Sequence, residues 1–260
     1  SFVSKIVETA MNNQLQQHFN ENKLLSTYQS AYRKGHSVES ALTHVYSSLL
    51  KELDRGRSVF LIMLDLSAAF DTVSHERLLH ILDSRFGLKS KALSLIQSYL
   101  SDRVSSVKVR STLSSARRTN VGVPQGSILG PVFFNCLMSQ LPSLLSNIGI
   151  SSHIYADDTQ FWVSFLPENE DVARRQVQRA FTIVTKFMLD NSLQLNPNKT
   201  QFLPISRSTE SFEPLDLGDG TIISPSSHVK NLGVVFDSKF CFQNHASEIR
   251  RSGFFHLRRV

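Results

Sequence analysis

The run Val59-Phe60-Leu61-Ile62-Met63-Leu64 constrains the fold more than any other segment. An unbroken apolar run of this kind reads as a strand buried on both faces. Asp65 follows at once, where such a strand leaves the core. A lone Asp there has a plain reading as a helix N-cap or a loop residue, although Ser67 and Ser74 already offer capping chemistry nearby.

Tyr155-Ala156-Asp157-Asp158 lies between two apolar segments, Gly149 to Ile154 and Phe161 to Phe165. Locally this is a β-hairpin whose tight turn holds two adjacent carboxylates. Like charges side by side repel, and Asn or Gly would make the turn at less cost. Two readings stand here: a solvated Asp-Asp turn, or ligands for a hard cation, of which Mg²⁺ best suits carboxylates. If the Asp65 strand lies beside the hairpin, Asp65, Asp157 and Asp158 converge. Three carboxylates can hold two Mg²⁺ ions in the arrangement that serves in-line phosphoryl displacement.

The motifs resemble those of reverse transcriptases. Leu64-Asp65-Leu66-Ser67-Ala68-Ala69-Phe70-Asp71 is similar to the first palm motif, and Gly122-Val123-Pro124-Gln125-Gly126-Ser127-Ile128-Leu129-Gly130-Pro131 to the second. Tyr155 to Gln160 resembles the third, in the form typical of non-LTR (LINE-type) retrotransposons. Leu195 to Thr200 and Val229 to Val234 resemble the fourth and fifth. Gln29 to Ser37 resembles the fingers motif, usually Gln-x-Gly-Phe-Arg, with Ala31 for Gly and Tyr32 for Phe. All six follow the family order and span essentially the whole chain.

The resemblance implies RNA-directed DNA polymerase chemistry, a nucleotidyltransferase extending a DNA primer on an RNA template with dNTPs. It implies two Mg²⁺ ions, with Mn²⁺ as a substitute, held by Asp65, Asp157 and Asp158 and supplemented by the Leu66 carbonyl. Lys199 becomes a proton donor to pyrophosphate, with a plain surface Lys as the other reading. Phe70 becomes the sugar-discriminating gate rather than ordinary core. Gln125 and Gly126 would meet the incoming nucleotide and template, and Arg33, with Lys34, its triphosphate. Asp71 is given a structural role at the turn before the next helix, and His153 is read as a strand residue.

The net charge is +6 and the pI about 9.4, a basic balance compatible with a polyanionic partner but shared by many unrelated proteins. Arg103, Lys108, Arg110, Arg117 and Arg118 form a stretch without an acid, and Arg250, Arg251, Arg258 and Arg259 cluster near the end. Both suit phosphate contacts, although a solvated face would read the same way. Cys136 and Cys241 make neither a disulfide framework nor a metal spacing, which points to a reducing compartment. The apolar runs are too short to span a membrane.

Apolar spacing predicts helices from Phe2 to Phe19, Ser37 to Asp54, His75 to Phe86, Ser90 to Leu100, Ser127 to Leu145, Asn169 to Asp190 and Cys241 to Leu257. A hairpin is expected between Val107–Val109 and the segment near Arg117, with short strands near Leu195, Phe202 and Ile222. The fold class is α/β (α+β): a right-hand polymerase with an antiparallel palm sheet backed by helices. The expected division is fingers 1–57, palm 58–72, a fingers insertion with the basic hairpin 73–120, palm 121–236 and a partial thumb 237–260. A missing upstream Arg-containing motif suggests a fragment of a longer polyprotein, with an endonuclease module elsewhere in it. The other readings are a truncated or inactive copy that binds nucleic acid without catalysis, an RNA-templated RNA polymerase and a group II intron-type maturase. Localisation is expected to be intracellular: the nucleus at integration and the cytoplasm as a ribonucleoprotein.

Overall fold

The computed structural model describes residues 2–208 and 211–258. Helix α1 (Phe2–Glu21) is followed by a loop and α2 (Val38–Asp54). A reciprocal cap starts α2: Ser37 Oγ accepts from Ser40 N at 3.2 Å, and Ser40 Oγ accepts from Ser37 N at 2.8 Å. Strand β1 (Ser58–Leu64) leads to β2 (Leu66–Ser67), α3 (His75–Ser84) and α4 (Ser90–Leu100). Four two-residue strands form an arm: β3 (Val104–Ser105), β4 (Lys108–Val109), β5 (Thr112–Leu113) and β6 (Arg117–Arg118). Helices α5 (Leu129–Met138) and α6 (Leu141–Ser146) precede the hairpin β7 (Ser151–Tyr155) and β8 (Asp158–Phe165). Helix α7 (Glu170–Asp190), β9 (Gln194–Leu195) and β10 (Gln201–Ile205) follow. The last elements are β11 (Leu215–Asp216), β12 (Ile222–Ile223), β13 (His228–Asn231), β14 (Val234–Asp237) and α8 (Gln243–Leu257).

The central sheet runs β10-β1-β8-β7, antiparallel throughout. Strand β1 is buried on both faces, as its sequence predicts, and its period of two divides the core. Phe60, Ile62 and Leu64 enter one cluster with Phe133 and Phe134 of α5 and Val177 and Phe181 of α7. Val59 and Leu61 enter another with Val45, Leu49 and Leu53 of α2 and Leu203 and Ile205 of β10. Each such side chain contributes about 1.5–3 kcal/mol by leaving water. The strand is thereby held from both sides, and so is the residue at its end, Asp65.

Several expectations are corrected. The apolar segment Ser127 to Leu145 is not one helix, because Pro142 lacks an N–H and its ring opposes the carbonyl one turn back. The chain breaks at Ser139 and Gln140 and restarts as α6 with the proline in its first turn. Val109 pairs with Thr112 and Lys108 with Leu113; it is Val104 and Ser105 that face Arg118 and Arg117. In α1, Leu15 and Phe19 are buried but Phe2, Val3, Ile6 and Val7 are exposed. The first turns of α1 dock through polar groups instead: Lys5 Nζ donates to the Gly126 carbonyl, and the buried Glu8 accepts from Ile128 N at 2.6 Å. Helix α8 starts at Gln243 and has no buried residue. Arg259 lies outside the described residues.

Candidate active site

Asp65 leaves β1 between two neighbours that the sequence placed far away. On one side β1 pairs with β8, and the register that joins Leu64 to Thr159 sets Asp65 abreast of Asp158. On the other, β2 pairs with β9, and the Asp65 carbonyl accepts from Asn196 N at 2.9 Å. The 3₁₀ turn Pro197–Lys199 then brings Lys199 Nζ to 3.2 Å from Asp65 Oδ2. First, third and fourth motifs thus meet at one end of the sheet.

The hairpin closes through Ala156 and Asp157 alone, with Tyr155 paired to Asp158. Ala156 sits at φ +58°, a left-handed conformation that Gly or Asn would adopt with less strain. Asp158 is exposed, yet the protein crowded about its carboxyl raises its pKa, and the charges of Asp157 and Asp65 raise it further.

Convergence is looser than expected. Among the described residues no three His, Cys, Asp or Glu side chains stand close enough to form a ready cation cage. Like charges repel, and Asp65 is turned to Lys199. The donor set nevertheless fits a hard divalent cation: the donors are carboxylate oxygens, and the repulsion that Asp157 and Asp65 exert on Asp158 is what such a cation relieves.

The second motif folds onto the first. Val123 N donates to the Phe70 carbonyl at 2.9 Å and Gly122 N to the Val73 carbonyl at 2.8 Å. Gly122 has φ +85°, and a Cβ there would lie 2.8 Å from the Asp71 carbonyl oxygen, so glycine is required twice over. Gln125 Nε2 donates to both Asp71 oxygens, at 3.0 and 3.1 Å. Asp71 therefore holds Gln125, rather than only shaping the turn before α3; Ser74 caps that helix. Phe70 is half-buried, its ring centroid 4.7 Å from that of Phe134, so it shares in the core while keeping an open side.

The fingers loop is fixed to the outer edge of β7. Ser30 N donates to the Ile154 carbonyl at 3.1 Å and Ile154 N to the Tyr28 carbonyl at 2.8 Å. Buried Gln29 Nε2 donates to the Asn135 carbonyl at 2.9 Å, and Asn135 Nδ2 to the Ala31 carbonyl at 2.5 Å. Ser30 Oγ and His153 Nε2 are 2.9 Å apart. Burial, with the charges of His44 and His36, pushes the His153 pKa down to about 4. His153 is a neutral strap between loop and hairpin, consistent with its reading as a strand residue. The Arg33 guanidinium donates to the Ser26 and Gln29 carbonyls, the latter at 2.6 Å, so it braces its own loop.

The motifs do not mark Lys5, Glu8 or Asn135, which fasten the Gln125 loop and the loop of Gln29 to Ala31. Glu8 carried a signal, as a carboxylate among the apolar positions of α1; Asn135 is the one amide in the apolar run of α5. The expected cations differ in their surroundings. Arg103 lies over the Tyr99 ring at 4.5 Å and donates to the Tyr99 carbonyl at 2.9 Å. Arg118 stands 3.8 Å from Asp102, while Lys108, Arg110, Arg117, Arg250 and Arg251 are exposed. A cavity lined by Lys51, Glu52, Arg57, Trp162 and Gln176 opens at the start of β1, the end remote from Asp65.

An antiparallel sheet backed by helices, with carboxylates abreast at one end and a glutamine loop beside them, defines a polymerase palm. Solved structures agree on the fold: apo telomerase from Candida tropicalis truncated from its C-terminal domain superposes with a TM-score of 0.62 at 13% identity, over 90% of this chain and 44% of that one. The telomerase of the same organism with a TWJ fragment of telomeric RNA gives 0.60 at 13% identity, over 93% and 38%. The family model described as reverse transcriptase (RNA-dependent DNA polymerase) matches residues 1–236, and the chain belongs to that family. Its relatives include the probable RNA-directed DNA polymerase from transposon BS of Drosophila melanogaster, 29% identical over 96% of this chain and 28% of that protein. The polymerase from the mobile element jockey of the same fly is 24% identical over 96% and 27%. These are non-LTR retrotransposon enzymes, and the chain spans little more than a quarter of their length. Among the described residues no helix is long and apolar enough to cross a membrane.

Proposed function

We propose that this chain carries the nucleotidyl-transfer centre of a non-LTR retrotransposon reverse transcriptase, adding deoxynucleotides to a DNA primer on an RNA template. The observation that carries the reading is the β1–β8 register, which sets Asp65 abreast of Asp158 next to the Asp157 turn. Asp65, Asp157 and Asp158 would hold two Mg²⁺ or Mn²⁺ ions, with the Leu66 carbonyl as a further ligand. When bound, such ions acidify the primer 3′-hydroxyl and neutralise charge on the leaving pyrophosphate.

In the transfer, the primer 3′-oxygen bonds to the α-phosphorus, the bond from that phosphorus to pyrophosphate breaks, and the hydroxyl proton passes to solvent water. Lys199 Nζ, held at Asp65, is the donor that protonates pyrophosphate. The open side of Phe70 presses on the sugar and rejects a 2′-hydroxyl. Gln125, oriented by Asp71, meets the incoming nucleotide, with Gly126 giving the loop its turn at φ +72°. Arg33 serves through the loop it braces. Arg250 and Arg251 on α8 are phosphate contacts. Residues 58–72 and 121–236 make up the palm, and target cleavage belongs to an endonuclease module elsewhere in the full protein.

The test is primer extension on an RNA template with Mg²⁺ and dNTPs, beside an Asp157→Ala, Asp158→Ala variant shown to be folded. Synthesis that vanishes in the variant supports the reading. A folded chain that binds template and primer but adds no nucleotide would instead mark a copy that holds nucleic acid without catalysis.

A further inference from the structure

The arm from Val104 to Arg118 is out of keeping with the rest of the molecule. Every residue in it is exposed. Two-stranded hairpins without a packed face are marginal in water, so this one persists on strand propensity, its ladder and its root. The root is firm. Thr119 N donates to the Arg103 carbonyl at 2.9 Å, and the Arg103 side chain is clamped by Tyr99 through its ring and its carbonyl. Just beyond the root, Val121 bridges Ser74 and the chain enters the Gln125 loop. The arm therefore projects from a rigid base beside the nucleotide-facing loop.

Its chemistry is one-sided. Lys108, Arg110, Arg117 and Arg118 are its charged residues, and there is no acid among them. Arg118 has Asp102 at 3.8 Å to answer its charge; Lys108, Arg110 and Arg117 have no ion pair among the described residues. Arg110 stands at the tip, at φ +55° in the turn between β4 and β5. Val104, Val107, Val109 and Leu113 lie between the cations, each about two-thirds exposed. Free cations interleaved with small aliphatics on a twisted ribbon suit a phosphate backbone and its sugars. A protein partner of matching size would have to be strongly acidic.

We propose that this arm is a sequence-independent clamp on the template–primer duplex. Lys108, Arg110 and Arg117 contact phosphates, while Arg103 and Arg118 brace the root. The clamp rests on the polymerase reading only for the identity of the duplex, so binding and synthesis are measured separately.

The experiment titrates the whole chain against a labelled RNA–DNA duplex at several KCl concentrations, without Mg²⁺. In the Lys108→Gln, Arg110→Gln, Arg117→Gln variant the slope of log K against log salt becomes shallower by about 2 to 3, since each phosphate contact contributes roughly 0.9. Lys108→Arg with Arg117→Lys keeps the slope, and so does Lys51→Gln at the remote end of the sheet. An unchanged slope in the triple Gln variant overturns the clamp, whether the arm binds a protein or nothing. A wild-type chain whose duplex binding ignores salt overturns it as well. If the slope falls as stated but primer extension fails, the clamp stands and the polymerase reading is what fails.

Discussion

Strand β1 and the arm β3–β6 are both antiparallel pairings rich in β-branched and aliphatic residues, and they are held in opposite ways. Strand β1 sits between two strands and two apolar clusters, with Val59 to Ile62 fully buried. The arm shares the ladder geometry but buries no side chain. What separates them is tertiary context, and the consequence is functional. Damage to β1 is a loss of fold, and with it of Asp65; damage to the arm is a loss of grip. Substitutions of similar size in the two places should therefore be read by different instruments.

The sharpest contrast pairs Phe60→Ala with Val109→Ala. Phe60 packs against Phe165 and Phe202 at ring distances of 4.4 and 5.1 Å, so its loss costs about 3–5 kcal/mol in denaturant unfolding. Val109→Ala changes stability by no more than about 0.5 kcal/mol. Equal losses would erase the distinction.

Acid titration tests the buried side by another route. His153 titrates near 4 when folded and near its ordinary value when unfolded, so the unfolded chain takes up the proton first. Stability from this residue is present above about pH 6.5 and falls as pH drops toward about 4, by about 3 kcal/mol at most. In His153→Asn that dependence flattens; an unaltered pH profile would mean the imidazole is not desolvated.

Two residues stand between the regimes. Phe70 has one side on Phe134 and the other open, so Phe70→Val should raise ribonucleotide incorporation relative to deoxynucleotide by about tenfold, an effect of roughly 1.4 kcal/mol. A ratio that stays put while the protein is destabilised would return Phe70 wholly to the core. Asp71→Ala frees Gln125 and should raise the dNTP KM by about fivefold with little change in stability, as befits an exposed side-chain contact. A lowered melting point with unchanged KM would assign Asp71 to the turn alone.

Local pattern made several elements legible. Ser37 marked the start of α2, and the apolar run marked β1. The break at Pro142 was also written in the chain but was overridden by the apolar run around it. Less legible was anything that depends on distant segments. Arg33, for which the resemblance implies a triphosphate contact, also meets the carbonyls of its own loop, partners that its place in the motif does not reveal. Asp71 looked structural because Gln125 lies far along the chain.

Residue order alone set which residues could bear charge beside an apolar strand, that a tight hairpin would bring Asp157 and Asp158 to its tip, and the family to which those motifs belong. Those are matters of residue type and short spacing, set by periodicity and turn chemistry. Tertiary structure decided that Asp65 stands abreast of Asp158 and faces Lys199, that Asp71 holds Gln125, that His153 is desolvated, and that the arm stays uncovered. The reason is physical: strand register, burial and long-range hydrogen bonds come from packing remote segments around one core, and no local window contains both partners.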